Sequence, residues 1–422
     1  MNIGPIVRAM RHNRTRVVLI VLEIGMTLAI VTNCINVILA EREKMGQPSG
    51  FDDDNIVWML ERPFTAEFRD PKFLGNIIPA DLRAIAAVPG VRAAGNTSFQ
   101  LWEGGGSSTR VRALDQKRDP VGTQRYYGTQ DVLEALGTRI AEGRGFTEED
   151  FRGPQGEAAA GPVAVISKAL ADDLFPDGKA LGKTIGETAS AEGALEEPVR
   201  VIGVLETFYN PWGIGGGEPN ALGFRGMFRP GGVASYARGI PYLIRTEPGA
   251  MSSVIAEVEK RLAAANPGRT FEFKPTDEKK ERWFAGSKIV VTTMSCIIVA
   301  LVAVTTLGLL GLTSLAVAER TRQIGTRRAL GATRGAILRH FLLENWLLTT
   351  AGLLLGVFGA YALNFLLVSR VSDVKMDWKL VVGGMVLLWV SGLLSTVPAA
   401  LRAATVSPSI CSTTATSQIG QS

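Results

Sequence analysis

The chain has 422 residues, 46% of them hydrophobic, with 45 Lys and Arg against 40 Asp and Glu and a formal net charge of +5. That length allows two or three domains, and the apolar content with a positive mean hydropathy points to a membrane. The positive balance falls beside apolar runs and forms no basic patch on a soluble stretch, which excludes a nucleic-acid binder.

In chain order, Met1 to Arg16 is a basic leader with Arg8, Arg11, Arg14 and Arg16. Val17 to Ala40 follows, long enough to cross a bilayer core that needs about 20 apolar residues. Its apolar region exceeds that of a signal peptide, and Ile38 before Glu41 is a poor cleavage site, so it reads as an uncleaved anchor. Glu23, Asn33 and Asn36 lie inside it. Such residues suit either hydrogen bonds to a neighbouring helix or a polar path through the membrane.

Residues 41–288 change character. They carry 31 basic against 35 acidic side chains, net −4, and no cysteine, so this segment must fold on its core without disulfides. The pattern is α/β. Asn55–Leu60 and Val91–Leu101 read as strands around a helix at Pro79–Val88, with Pro89-Gly90 as the break. Pro241–Arg245 and Thr270–Phe273 read as strands around a helix at Ala250–Ala265. Two β-α-β units at opposite ends predict a split ferredoxin-like layer (41–114 and 222–275) with an inserted subdomain at 115–221. Gly178 to Thr184, GKALGKT, has one residue too few between its glycines for a phosphate-binding loop and predicts a turn into a strand. Tyr209 to Gly232, rich in Gly and Pro, reads as a mobile loop, with partner contact through Tyr209 and Trp212 as the alternative. The charged run Asp277 to Arg282, followed by Trp283 and Phe284, predicts an amphipathic lead-in that extends the second span as a stalk.

Further apolar runs occupy residues 289–318, 341–368 and 380–401. Four spans put both termini on one side. The N-terminal arginines and those after Glu319 place the termini and that connection in the cytoplasm, and residues 41–288 outside it. The predicted fold class is an α-helical membrane protein with four transmembrane helices and a large extracytoplasmic α/β domain, ending in a cytoplasmic tail at 402–422. Gly383, Gly384 and Gly392 in the last span suit close helix packing. Enzyme chemistry has no starting point. The two histidines, His12 and His340, flank spans, and H-E-x-x-H, C-x-x-C and G-x-S-x-G do not occur, so catalytic and metal sites are expected to be absent.

Between the second and third spans lies Glu319 to Glu344, ERTRQIGTRRALGATRGAILRHFLLE, in which Ile324, Leu330, Ile337 and Leu338 can share one helical side. A charged cytoplasmic anchor would explain the arginines alone. The run also resembles the signature of MacB/FtsX-like ABC transporter permeases, close to E-R-x-R-E-I-G-x-R-R-A-L-G-A-x-R, with Gln323 at a position where that family commonly carries Glu. Residues 133–151 and 177–185 resemble parts of the same family's external domain, with Ile140 replacing a Leu. The resemblance implies that residues 319–340 form a coupling helix docking on a separate ATPase, through Glu319, Arg320, Arg322, Ile324, Arg327, Arg328 and Ala329. ATP and Mg would be bound by that partner, and none by this chain. It further implies a cytoplasmic ABC ATPase dimer, a second permease copy or a paralogous permease, an adaptor outside the membrane, contact with membrane lipids, and residence in a bacterial inner membrane. Two functions follow: export or extraction of a hydrophobic compound, peptide or lipoprotein, or signalling that regulates a cell-wall hydrolase without transport.

Overall fold

The computed structural model describes residues 14–102, 107–115, 118–151, 163–188, 195–211, 223–232, 238–319, 333–368 and 376–405. They divide into a central unit, Gly46–Ala285, and a helical unit drawn from Met1–Met45 and Gly286–Ser422.

The central unit is built on β1 (Ile56–Pro63), in which every residue but Arg62 is buried. Two antiparallel neighbours flank it, β10 (Ile240–Thr246) and β11 (Arg269–Pro275), and β10 pairs in turn with β2 (Val91–Asn96). The order β11-β1-β10-β2 is that of two interleaved β-α-β units. The crossover helices are α2 (Pro71–Ala86) and α5 (Met251–Ala265). Because side chains alternate along a strand, Val57 and Met59 face these helices and share a core with Ile78, Ile85, Val254 and Val258. Trp58 and Leu60 point the other way. The sequence places the start of α2 at Pro79, yet it begins eight residues earlier. Asp70 accepts the Lys72 amide at 2.9 Å and Pro71 occupies the first turn, a stronger start signal than Pro79. Pro79 is carried inside the helix, where the carbonyl it leaves without a partner belongs to exposed Gly75.

The chain between β2 and β10 forms a second sheet. Its strands are β3 (Ser107–Ala113), β4 (Val121–Gly128), β5 (Ile140–Gly143), β6 (Val163–Ser167), β7 (Thr184–Thr188), β8 (Leu195–Leu205) and β9 (Gly226–Pro230). Pairing runs β8-β6-β9-β4-β3-β7 and returns from β7 to β8, so six strands close a ring and β5 is added on β8. Eleven-residue β8 makes closure possible, since its first half pairs with β7 and its second with β6 and β5. The enclosed core contains Val111, Ile166, Ile185, Val199, Val201 and Met227, with Leu170 and Leu174 from α4 (Lys168–Leu174). Gly178 and Gly182, at φ +82° and +79°, supply the turns into β7. The stretch read as a mobile loop contains β9, all five residues of which are buried.

The helical unit contains α1 (Arg14–Gly46), α7 (Ala285–Glu319), α8 (Arg334–Leu363) and α9 (Trp378–Thr405). Among the described residues, Arg14–Gly46, Ala285–Leu315 and Leu342–Leu366 are long and apolar enough to cross a membrane; Trp378–Leu394 is a shorter apolar stretch. Ile24 and Leu28 of α1 lie against Gly352 and Gly356 of α8, where an added Cβ would come within 2.7 and 2.8 Å of their Cβ atoms. Gly384 meets Thr32 and Leu28 in the same manner, whereas Gly383 faces open space.

Beneath the helix-covered face of the first sheet lies a buried ionic cluster. Arg269 donates to both oxygens of Asp81 (2.5 and 2.9 Å) and sits 3.1 Å from Glu61, while the Tyr242 hydroxyl donates to Asp81 at 3.1 Å. One guanidinium facing two carboxyls leaves an unbalanced buried charge if both ionise. Burial, opposed by Arg269 and reinforced by Asp81, pushes the Glu61 carboxyl from 4.5 up to about 7. Between those values the folded protein holds a proton that the unfolded chain has released, so stability falls as pH rises through the window and levels off above it. Thermal unfolding of the purified protein should therefore show the central unit's transition dropping by several degrees between pH 5 and pH 8. Glu61→Gln should remove most of that slope.

Candidate functional site

The two stretches of the central unit that lead toward α1 and α7 meet at one carboxylate. Asp53 sits in a single 3-10 turn seven residues past the end of α1, and is 8% exposed. It accepts three hydrogen bonds: from the Ser49 hydroxyl (2.7 Å), the Trp102 indole N–H (2.8 Å) and the Lys280 ammonium (2.9 Å). Lys280 lies on α6 (Thr276–Trp283), which follows β11 directly and ends two residues before α7 begins. The charged lead-in is thus docked on the sheet by its lysines. Lys279 lies 4.0 Å from the centroid of the Trp58 ring, and Lys280 5.3 Å from that of Trp102.

Trp102 ties this junction to the ring of strands. It follows β2, is 2% exposed, and has a positive φ of 59°, a conformation a bulky residue adopts only when its surroundings hold it there. Its amide donates to the Asn210 side chain at 3.2 Å, and Asn210 donates to the Tyr126 hydroxyl of β4 at 3.1 Å. Its indole packs on Tyr209 and on Phe284, the residue between α6 and α7, with centroids 6.1 and 5.5 Å apart. Tyr209, 6% exposed and also stacked on Phe224, is committed inside the protein and is not available as a surface partner contact. Trp212 lies outside the described residues. A charge-assisted carboxylate with donors from three separate stretches ties α6 to the segment after α1 and, through Trp102 and Asn210, to the ring.

In the helical unit the predicted polar residues separate. The Glu23 carboxylate lies beside Gly308 of α7, where an added Cβ would come within 2.4 Å of its Oε1. One turn on, the hydroxyls of Thr27 and Thr305 are 2.7 Å apart. Asn33 donates to the carbonyls of Ala29 (2.8 Å) and Ala360 of α8 (3.1 Å). Asn36 is buried, and its amide nitrogen has no hydrogen-bond partner among the described residues. Glu23 therefore serves the α1–α7 contact and Asn33 the α1–α8 contact. Glu319 is the last residue of α7; Arg320, Arg322, Ile324, Arg327, Arg328 and Ala329 lie outside the described residues. Among the described residues no group of three His, Cys, Asp or Glu side chains could hold a metal. Asp53, Trp102 and Asn210 are not singled out by sequence patterns, because their partners are distant in the chain; the one cue is the charged run that contains Lys280.

Fold and composition together define a membrane protein with a large α/β unit and several long apolar helices. Comparison with known proteins gives the family. The model of the MacB-like periplasmic core domain matches residues 21–261, and that of the FtsX-like permease C-terminal matches residues 295–408. The chain belongs to the MacB/FtsX-like ABC transporter permeases. It is 28% identical over 276 residues to the Bacillus subtilis protein called uncharacterized ABC transporter permease YknZ, covering 64% of each. It is 26% identical over 274 residues to the macrolide export ATP-binding/permease protein MacB of Chromobacterium violaceum, covering 64% of this chain and 38% of that one. These matches thus span less than two thirds of either relative. The crystal structure of the extracellular domain of YknZ aligns with 52% of this chain and all of its own at 17% identity and a TM-score of 0.33.

Replacing Asp53 by Asn keeps its shape and removes the charge that Lys280 and Trp102 address. Asp53→Asn should lower the stability of the central unit by about 1–3 kcal/mol. In hydrogen exchange, amides of 276–284 and 99–102 should lose protection while those of β6 and β8 keep theirs.

Proposed function

We propose that this chain is the permease subunit of an ABC transporter that couples ATP hydrolysis on a separate cytoplasmic ATPase to movement of its extracytoplasmic domain. The work done is export or extraction of a hydrophobic compound, a peptide or a lipoprotein. The observation that carries this reading is the order of the two family matches, residues 21–261 and then 295–408, with the Arg-rich run inside the second. A relative named for macrolide export, matched over 64% of this chain, favours transport over control of a cell-wall hydrolase.

In this reading α9, 28 residues and about 42 Å long at 1.5 Å per residue, is the fourth span, and both termini are cytoplasmic. The coupling residues are Glu319, Arg320, Arg322, Ile324, Arg327, Arg328 and Ala329. ATP binding draws the partner ATPase pair together and shifts this segment, and α7 carries the shift outward to α6. The two permease states must bind the closed ATPase pair with different affinity, since coupling is that difference. At the outer end, Lys280, Asp53 and Trp102 divide the displacement between the first sheet and the ring. The assembly contains two permease chains, identical or paralogous, in a bacterial inner membrane.

Purification of the tagged protein from its native membrane should recover an ABC ATPase, and Arg327→Glu with Arg328→Glu should abolish that recovery without lowering permease yield. Recovery unchanged by the double reversal would leave the arginines as topology anchors. Stimulation of the recovered ATPase by hydrophobic compounds marks export; indifference to them, with capture of a hydrolase, marks signalling.

A further inference from the structure

Glu23 has served so far only as a contact between α1 and α7, a role that does not need a charge. Its carboxyl group lies flat on Gly308, where an added Cβ would stand within 3.2 Å of Cδ and of Oε2 and nearer still to Oε1. The missing side chain of Gly308 is what makes room for it. A carboxylate inside an apolar run is costly and calls for a counter-charge. Among the described residues no hydrogen bond or ion pair reaches Glu23, and no charged group acts on it. The nearest polar groups, the hydroxyls of Thr27 and Thr305, bond to each other at 2.7 Å.

The surface around it is a groove. Ile24 and Leu28 of α1 and Leu309 of α7 turn into one core cluster of the helical unit, so the opposite sides of the two helices are open together. Leu19 and Met26, one turn to either side of Glu23, are 55% and 63% exposed. Val304, one turn from Gly308, is 63% exposed, and beside Gly311 an added Cβ would meet nothing within 4 Å. Glu23, half-buried, stands at the edge where these open sides meet. The groove is therefore walled by carbon and carries one negative charge.

We propose that this groove between α1 and α7 binds a hydrophobic monocation, a lipophilic amine or onium ion. Its charge rests against the Glu23 carboxylate and its apolar body along Leu19, Met26 and Val304. Attraction between opposite charges is little screened in apolar surroundings, so the carboxylate favours a cation over a neutral compound of similar shape. Neutral compounds use the carbon walls alone and bind more weakly. The inference narrows the hydrophobic cargo of the export reading and rests on that reading for its use in transport. Binding itself is a property of the helical unit and needs no ATPase.

The test uses the full chain in phosphatidylcholine nanodiscs, with empty nanodiscs subtracted, dialysed to equilibrium against radiolabelled tetraphenylphosphonium or neutral triphenylphosphine oxide. Saturable binding of one cation per chain is expected, at least tenfold tighter than the neutral compound. Glu23→Gln keeps the shape of the side chain and should weaken the cation at least tenfold while leaving the neutral compound within threefold. Met26→Lys supplies an ammonium one turn from the carboxylate and should likewise displace the cation. On the wild type alone, the absence of saturable binding, as for a carboxyl that simply holds a proton, or equal binding of the two compounds would overturn the proposal. Wild-type cation affinity in Glu23→Gln would do the same. Recovery of an ATPase with the permease is a separate readout, so either reading can fail while the other stands.

Discussion

A single carboxylate, almost out of contact with water, holds three separate stretches of the central unit together. Asp53 is placed where a lone charge would be costly, and it is tolerated because three donors reach it from three parts of the chain. Ser49 fixes the entrance from α1, Lys280 fixes the exit to α7, and Trp102 carries the bond through Asn210 and Tyr126 into the ring of strands. Removing any one donor leaves the others, but removing the acceptor leaves an ammonium, an indole and a hydroxyl without their shared partner. That asymmetry makes the junction sensitive to loss of its centre.

Under the proposed function, force generated by a separate ATPase crosses the bilayer along helices and is delivered to a folded body, and a flexible linker between α6 and α7 would dissipate it. Here a single residue, Phe284, separates the two helices, and its ring packs on Trp102. The closed ring of strands has no free edge along its circuit to yield. The split sheet stays rigid through a different device, the Arg269 cluster, which pins β1, α2, β10 and β11 at one buried point.

Much of this fold was legible in the sequence. Apolar length marks the long apolar helices, and alternation marks β1 and β10 to within three residues of their ends. The split β-α-β order followed from the wide separation of the two units. What escaped depended on contacts made at long range. The start of α2 was misplaced because Pro79 outweighed the Asp70-Pro71 cap. Strand β9 was hidden in a Gly- and Pro-rich stretch, where only pairing with β4 and β6 gives Met227 and Phe228 a place. Of the candidate site, Glu23 and Asn33 stood out as polar residues in an apolar run, but which helix each would meet did not. Asp53 looked like one acid among three in a row, because nothing local announces that an indole 49 residues later will need it.

The most direct test follows hydrogen exchange in the reconstituted permease and its ATPase, with and without vanadate-trapped nucleotide, at residues 47–55 and 276–284. If the Asp53 junction transmits, both segments change protection together in the wild type, and in Asp53→Asn the 276–284 segment responds while 47–55 does not. Nucleotide-independent exchange at both segments, or the same paired response with and without the Asp53 charge, would contradict a transmitting role for the junction.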